Sequence, residues 1–166
     1  MKRNLYYFLF VASLFVIDQV SKAVISKKIA LMSAKSIIPG FLNLTHVRNT
    51  GAVFGFFSGS GNRSLFIVLT LASLTALGFV VYYFVRTAPS QKLMKFSLSL
   101  ILAGALGNLL DRVLRGYVVD FIDFYIKKSH WPAFNVADSC ITIGAVLIIC
   151  AFFFKRKSKC SLCSSN

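Results

Sequence analysis

Ser64 to Val85 reads SLFIVLTLASLTALGFVVYYFV, 22 consecutive residues without a charge. A helix rises about 1.5 Å per residue, so roughly 20 such residues cross the hydrocarbon core of a bilayer. A helix in a soluble protein keeps a charged face toward water, and this stretch has none. Working outward, three further charge-free stretches run from Asn4 to Ile17, Phe96 to Leu110 and Ser139 to Phe154. Each reaches spanning length by taking in polar residues at one end: Asp18 and Lys22, Lys95, and Asn135 with Asp138, respectively. The expected fold class is therefore an all-α polytopic membrane protein. Four transmembrane helices are placed at about residues 5–25, 64–86, 93–111 and 136–155, and residues 1–166 form a single membrane-embedded domain.

Composition agrees. Apolar residues make up 57% of the 166 positions, above the roughly 45–50% of soluble proteins. Nineteen residues are Lys or Arg and five are Asp, with no Glu, giving a net charge of +14. The basic residues are spread between apolar runs rather than gathered on one face, which matches anionic lipid headgroups and excludes nucleic acid as the expected partner. Four cysteines suggest no disulfide framework; Cys140 and Cys150 lie within an apolar run, where a thiol behaves as a small hydrophobe. Lys2-Arg3 ahead of an apolar stretch also fits a cleaved signal peptide. Against that, the segment continues through Asp18, Gln19 and Lys22 without a small-x-small cleavage site, and Asp18 and Lys22 are spaced i, i+4 as a helical ion pair.

Four spans put both termini on one side. With the termini cytoplasmic, residues 1–4, 86–95 and 155–166 hold nine Lys or Arg in 26 positions, whereas 26–63 and 112–137 hold nine in 64. The density favours cytoplasmic termini, with outer loops at 26–63 and 112–135. Those loops are structured in expectation. Pro39-Gly40 and Asn49-Thr50-Gly51 mark turns around the loosely alternating Phe41–Val47, a small hairpin, and VVDFIDFYI (118–126) reads as a second strand-like stretch. Phe54, Phe56 and Phe57 lead into a flexible break, Ser58-Gly59-Ser60-Gly61-Asn62.

Acids are so scarce that each is a functional candidate at membrane depth. Asp18 has Lys22 one turn on. Asp111, at the end of the third span, has Arg112 and Arg115 beside it. Asp123 has Lys127 at i+4 and reads as its solvated partner. Asp138 follows Asn135 by three positions, as in a helix N-cap with an acidic N3 residue. Asp120 alone has apolar neighbours on both sides and no basic residue within four positions. Burial should raise its pKa, while a helix N-terminus should hold Asp138 as the anion, the arrangement of an acid and base pair. His46 and His130, with no Cys or Glu at ligand spacing, do not form a zinc site. Cys160-x-x-Cys163 lacks a second pair, and no G-x-S-x-G elbow occurs.

Asn49-Thr50-Gly51-Ala52-x-Phe54, Gly104-Ala105-Leu106-Gly107-Asn108-Leu109-x-Asp111-Arg112, Val119-Asp120-Phe121 and Phe134-Asn135-x-Ala137-Asp138-Ser139 together resemble the signature blocks of bacterial lipoprotein signal peptidase, signal peptidase II. The blocks follow in order through nearly the whole chain, with Asp18-Gln19 and Lys22 before them; the tail from Lys155 has no counterpart. The resemblance implies a four-span aspartic endopeptidase of the bacterial inner membrane with a small extracytoplasmic β-sheet and an active site near the outer face. Its substrates would be diacylglyceryl-modified prolipoproteins, cut on the N-terminal side of the lipidated cysteine. By the resemblance Asp120 and Asp138 are catalytic, Asn49, Asn108, Arg112 and Asn135 line the substrate site, and Asp18, Lys22 and Asp111 are structural or positioning residues. No metal or cofactor is implied, membrane lipid is the other partner, and the protein is expected to act as a monomer. A competing reading makes Asp18, Asp111 and Asp138 the relay of a small proton or ion transporter; another makes the chain a purely structural membrane subunit. The first does not explain why the polar residues gather at one membrane face or why the outer loops are ordered, and the second leaves Asp120 unexplained.

Overall fold

Four long helices and a four-stranded sheet account for the computed structural model, which describes residues 2–50 and 63–163, with side chains described for 5–50 and 66–152. In chain order these are α1 (Lys2–Lys28), β1 (Ala34–Ile38), β2 (Leu42–Asn49), α2 (Arg63–Arg86), α3 (Lys92–Arg115), β3 (Val118–Ile126), β4 (Ser129–His130) and α4 (Val136–Cys163). Among the described residues, three helices are long and apolar enough to cross a membrane, over Leu5–Lys28, Phe66–Arg86 and Lys92–Arg115, and α4 is apolar over Val136–Phe152. The Gly51-Ala52 half of the first motif block, the aromatic run 54–57, the break at 58–62 and the side chains of Cys160 and Cys163 lie outside the described residues.

The packing inverts the soluble pattern in part: charged and polar side chains are buried alongside apolar ones, and many large apolar side chains face outward. Asp18, Lys22, Lys95, Ser97, Ser99, Asn108 and Asp111 are all buried, whereas Phe8, Leu71, Phe79, Tyr82, Val113 and Ile149 are among the exposed large apolar side chains. That inversion is stable only where the surrounding medium is itself apolar, because a buried charge costs most when unpaired and an exposed Leu costs nothing in lipid. Helix α3 is the centre, touching α1, α2 and α4. It can be approached closely because two of its positions lack a side chain. A Cβ on Gly104 would collide with the Ala137 carbonyl oxygen, and one on Gly107 would sit 2.5 Å from Asp18 Oδ2.

Spacing alone ends the third span at 111, but α3 continues to Arg115. Gly116 then closes it in the left-handed conformation, its N–H donating to the Arg112 carbonyl at 3.1 Å. The extra turn keeps Asp111 within the helix, so Arg115 lies on its face one turn ahead. The chain leaves the cap directly into β3.

The sheet is antiparallel in the order β1-β2-β3-β4. The expected hairpin is present as β1 and β2, joined at Gly40 with φ of +80°. Strand β3 pairs with β2, matching Leu44 to Ile122, Val47 to Asp120 and Asn49 to Val118. Ile25, Val119 and Phe121 form a small apolar core with Ile29, Leu44, Tyr117, Ile122 and Val136 against them, seating the sheet on the end of α1 and the start of α4. One expectation fails here. Asp123 does not pair with Lys127; it accepts from Asn43 Nδ2 at 3.0 Å and lies 3.0 Å from His130 Nδ1. Lys127 occupies a turn with φ of +57°, so strand geometry rather than the helical i, i+4 spacing decides Asp123's neighbours.

Candidate active site

Asp120 and Asp138 come from different elements, the middle of β3 and the first turn of α4, and meet at Asn135. The Asn135 side-chain amide donates to Asp120 Oδ1 at 2.7 Å, while its backbone N–H donates to Asp138 Oδ2 at 3.2 Å. In return the Asp138 backbone N–H donates to Asn135 Oδ1 at 2.9 Å. This is a reciprocal N-cap, and it fixes the amide: with Oδ1 taken by a donor, Nδ2 must face Asp120. Asn49 Nδ2 donates to the other oxygen of Asp120 at 3.0 Å, and Asn108 Nδ2 donates to Asp138 Oδ1 at 2.7 Å. The three asparagines singled out in the sequence, Asn49, Asn108 and Asn135, are thus brought to one place.

Asp120 is 3% exposed. Its pKa is pushed up to about 7, first by burial and then by the charge of Asp138; the amides of Asn49 and Asn135 and the Lys22 ammonium pull the other way. The opposed split expected from the sequence does not hold: burial is the first influence on the carboxyls of both Asp120 and Asp138. The charge of Asp138 acts on Asp120, and Asn135 bonds both carboxylates.

Beneath the pair is an ionic cluster that sequence spacing only partly anticipates. Lys22 Nζ lies 2.8 Å from Asp18 Oδ2, the expected i, i+4 pair, and 2.9 Å from Asp111 Oδ2. Asp111 is neutralised by Lys22 and Arg115 rather than by Arg112 and Arg115 as expected. The cluster reaches the site in two ways. Asp18 Oδ1 accepts the Ala137 N–H at 2.9 Å, satisfying a donor at the start of α4. Lys22 Nζ also donates to Asn108 Oδ1 at 3.0 Å, which leaves only Nδ2 of Asn108 to face Asp138. Gln19, which stands in the sequence only as part of a motif, donates to Asp18 at 3.1 Å and to the Gly107 carbonyl at 3.2 Å.

Arg112 is half-buried, and its Nη1 donates to the Asn108 carbonyl at 3.3 Å. Its charge acts on Asp138 first, then Asp120, then Asp111. Arg112 therefore belongs to the carboxylate pair, while Arg115 serves Asp111. Such a set can hold a water between an acid and a base and present amides and a guanidinium to a peptide backbone.

A family model described as Signal peptidase (SPase) II matches residues 10–154. The chain is 39% identical over 160 residues to the lipoprotein signal peptidase of Syntrophus aciditrophicus, covering 96% of this chain and 99% of the relative. It is 45% identical over 145 residues to that of Staphylococcus carnosus, covering 87% and 88%. A solved bacterial membrane enzyme, 41% identical, superposes with a TM-score of 0.78 over 93% of this chain and 91% of its own. With the family pattern running through nearly the whole chain on the same helical membrane fold, the chain belongs to the signal peptidase II family.

Proposed function

We propose that this chain is an aspartic endopeptidase that removes the signal peptide from diacylglyceryl-modified prolipoproteins, cutting on the N-terminal side of the lipidated cysteine. The observation that carries the reading is the convergence of Asp120 and Asp138 on Asn135, with each carboxylate taking amide donors. A pair holding one proton lets the ionised carboxylate take a proton from water as its oxygen attacks the scissile carbonyl. The protonated partner donates to the developing oxyanion. As the tetrahedral species collapses, the proton first removed passes to the departing amine and the proton given to the oxyanion returns to its carboxylate as the carbonyl re-forms, which leaves the pair as it began. Arg112 and the site amides hold the extended substrate backbone, whose peptide groups need partners at that depth. The substrate's acyl chains stay among the apolar side chains of the helices, and a monomer suffices. Incubating the detergent-purified protein with a diacylglyceryl-modified prolipoprotein tests the reading: a shortened product supports it, and no product from a folded sample defeats it.

The pH dependence follows from Asp120. Below about 7 its carboxyl is protonated and can donate; above, it ionises, and the pair loses its one proton. Activity should therefore fall on the alkaline side, approaching about tenfold per pH unit. The check is kcat/KM in mixed micelles from pH 5 to 9; a profile flat through 7 to 9 contradicts the shared proton.

Arg112 and Arg115 separate by function. A lysine keeps the charge but loses the planar fork. Arg112→Lys should cost about 10²-fold in kcat/KM through mispositioned substrate, whereas Arg115→Lys, which keeps a cation on Asp111, should cost little. Equal rates for both variants would remove Arg112 from the substrate site.

In the orientation favoured by the density of Lys and Arg, the sheet lies on the outer face and the α2–α3 turn in the cytoplasm, at opposite ends of the 24 residues of α3, about 36 Å. In a variant cleared of its four cysteines, Ser36→Cys should label from outside intact cells and Ser90→Cys only after permeabilisation. The reverse pattern inverts the topology.

A further inference from the structure

His46 is a buried titratable side chain that this chemistry leaves unused. It is 3% exposed, its Nδ1 lies 2.9 Å from the Ile29 carbonyl oxygen, and its Nε2 is buried with no hydrogen-bond partner among the described residues. A carbonyl only accepts, so Nδ1 carries the proton and donates. The ring therefore spends its Nδ1–H on the end of α1 and leaves Nε2 without a partner among the described residues, an arrangement that packing alone does not call for.

Its place in the sheet explains why the bond matters. Strand β2 pairs Leu44 with Ile122 and next pairs Val47 with Asp120. Thr45 and His46 thus stand together opposite Phe121, a β-bulge. Side chains alternate along a strand, so without the bulge His46 would oppose Asp120 and Arg48 would oppose Val118, with Asn49 turned to the other face. In the structure Asn49 opposes Val118 and its amide reaches Asp120. The bulge puts an amide, not a guanidinium, beside that carboxylate.

The bulged residues are bonded to the segment before β1. His46 N–H donates to the Ser33 carbonyl at 3.1 Å, Met32 N–H donates to the His46 carbonyl at 2.9 Å, and the Thr45 hydroxyl donates to the Ser33 carbonyl at 3.1 Å. All three bonds go to the short segment that follows α1. The imidazole adds the link to Ile29, whose own N–H continues the helix to Ile25 at 2.9 Å and whose carbonyl lies among those the helix end leaves unpaired.

We propose that His46 is a positioning residue: its Nδ1–H latches the β2 bulge to the end of α1 and so sets the register that presents Asn49 to Asp120. The inference rests on the reading of Asp120 as a reacting carboxylate. Asparagine can place an N–H near the position of Nδ1, glutamine places it one bond further out, and leucine has none. The experiment compares His46→Asn, His46→Gln and His46→Leu in the full chain, in mixed micelles, at matched folded amounts. Hydrogen exchange is read over residues 42–50 and 118–122, and kcat and KM are measured on a diacylglyceryl-modified prolipoprotein. The latch predicts faster exchange in both segments for the Leu and Gln variants, with kcat about 10²-fold lower and KM little changed. The Asn variant recovers protection and most of kcat. Parental kcat per folded molecule in the Leu variant, or the same loss in all three, overturns the proposal. If the Leu variant fails to fold, the contrast between Asn and Gln decides. Exchange is read without turnover, so it judges the latch even if the parental protein cleaves nothing, a result that would count against the peptidase reading instead.

Discussion

Asp120→Asn and Asp138→Asn will each lower prolipoprotein cleavage by about 10²- to 10⁴-fold, the range expected when a general acid or base is lost. An amide can neither take a proton from water nor give one to an oxyanion, and the two residues stand on different elements, so neither neighbour can substitute. Each oxygen of Asp120 accepts from an amide, Asn49 on one side and Asn135 on the other. The amide introduced by Asp120→Asn offers one acceptor oxygen where two are needed, so one donor must rotate away; insertion and folding should survive that local change. The measurement is the initial rate at equal folded protein, read by gel shift of the substrate. Asp123→Asn is the comparison, because Asp123 sits on the same strand but bonds Asn43 and His130, away from the pair. It should stay active. Retention of more than about a hundredth of the rate in either dyad variant would sink the acid and base assignment.

The largest stability effect belongs to Lys22→Met. Lys22 and Asp111 are wholly buried and Asp18 is 1% exposed. One ammonium serves both carboxylates and the side-chain oxygen of Asn108. Removing it leaves Asp18 without a cation and Asp111 with Arg115 alone, and breaking a buried pair from one side costs about 3–5 kcal/mol. Unfolding in mixed detergent micelles should show that loss. Adding Asp18→Asn should recover part of it, because the new amide oxygen can still accept the Ala137 N–H while the uncompensated charge is gone. Cleavage should fall as well, since Asn108 Oδ1 keeps only the longer bond from Asn135 Nδ2, 3.3 Å, to hold its Nδ2 toward Asp138. Unchanged stability in Lys22→Met would mean that the cluster is not what holds α1 against α3.

Long-range pairing was the part the sequence hid. Asp18 and Lys22 are one helical turn apart, so their contact can be read from spacing, whereas Lys22 and Asp111 meet only because Gly107 lets α1 and α3 close to within side-chain reach. Asp111 looks self-sufficient with two arginines beside it, yet adjacent residues on a helix point about 100° apart, and the charge of Arg112 acts first on Asp138 instead. Spacing to Asp138 marks Asn135 as an N-cap, whereas the substrate-site roles proposed for Asn49, Asn108 and Arg112 come from the family motifs. Asn49 and Asn108 carry no periodicity or charge that marks them out. In the linear pattern His46 invites only a metal-ligand reading, since nothing there announces a bulge.

Sequence alone determined the medium and the elements: runs of 14 or more uncharged residues cannot be left facing water, and a helix is the structure that satisfies its own backbone in lipid. It also singled out Asp120, because a lone acid among apolar residues has no local partner to explain it. Tertiary structure decided what each polar side chain does. Hydrogen-bond partners are set in three dimensions by which helices approach closely, by where Gly116 ends α3 and starts β3, and by one extra residue in β2 that turns Asn49 toward the carboxylate. Apolar patterning constrains faces and lengths; it carries no information about which amide will meet which acid.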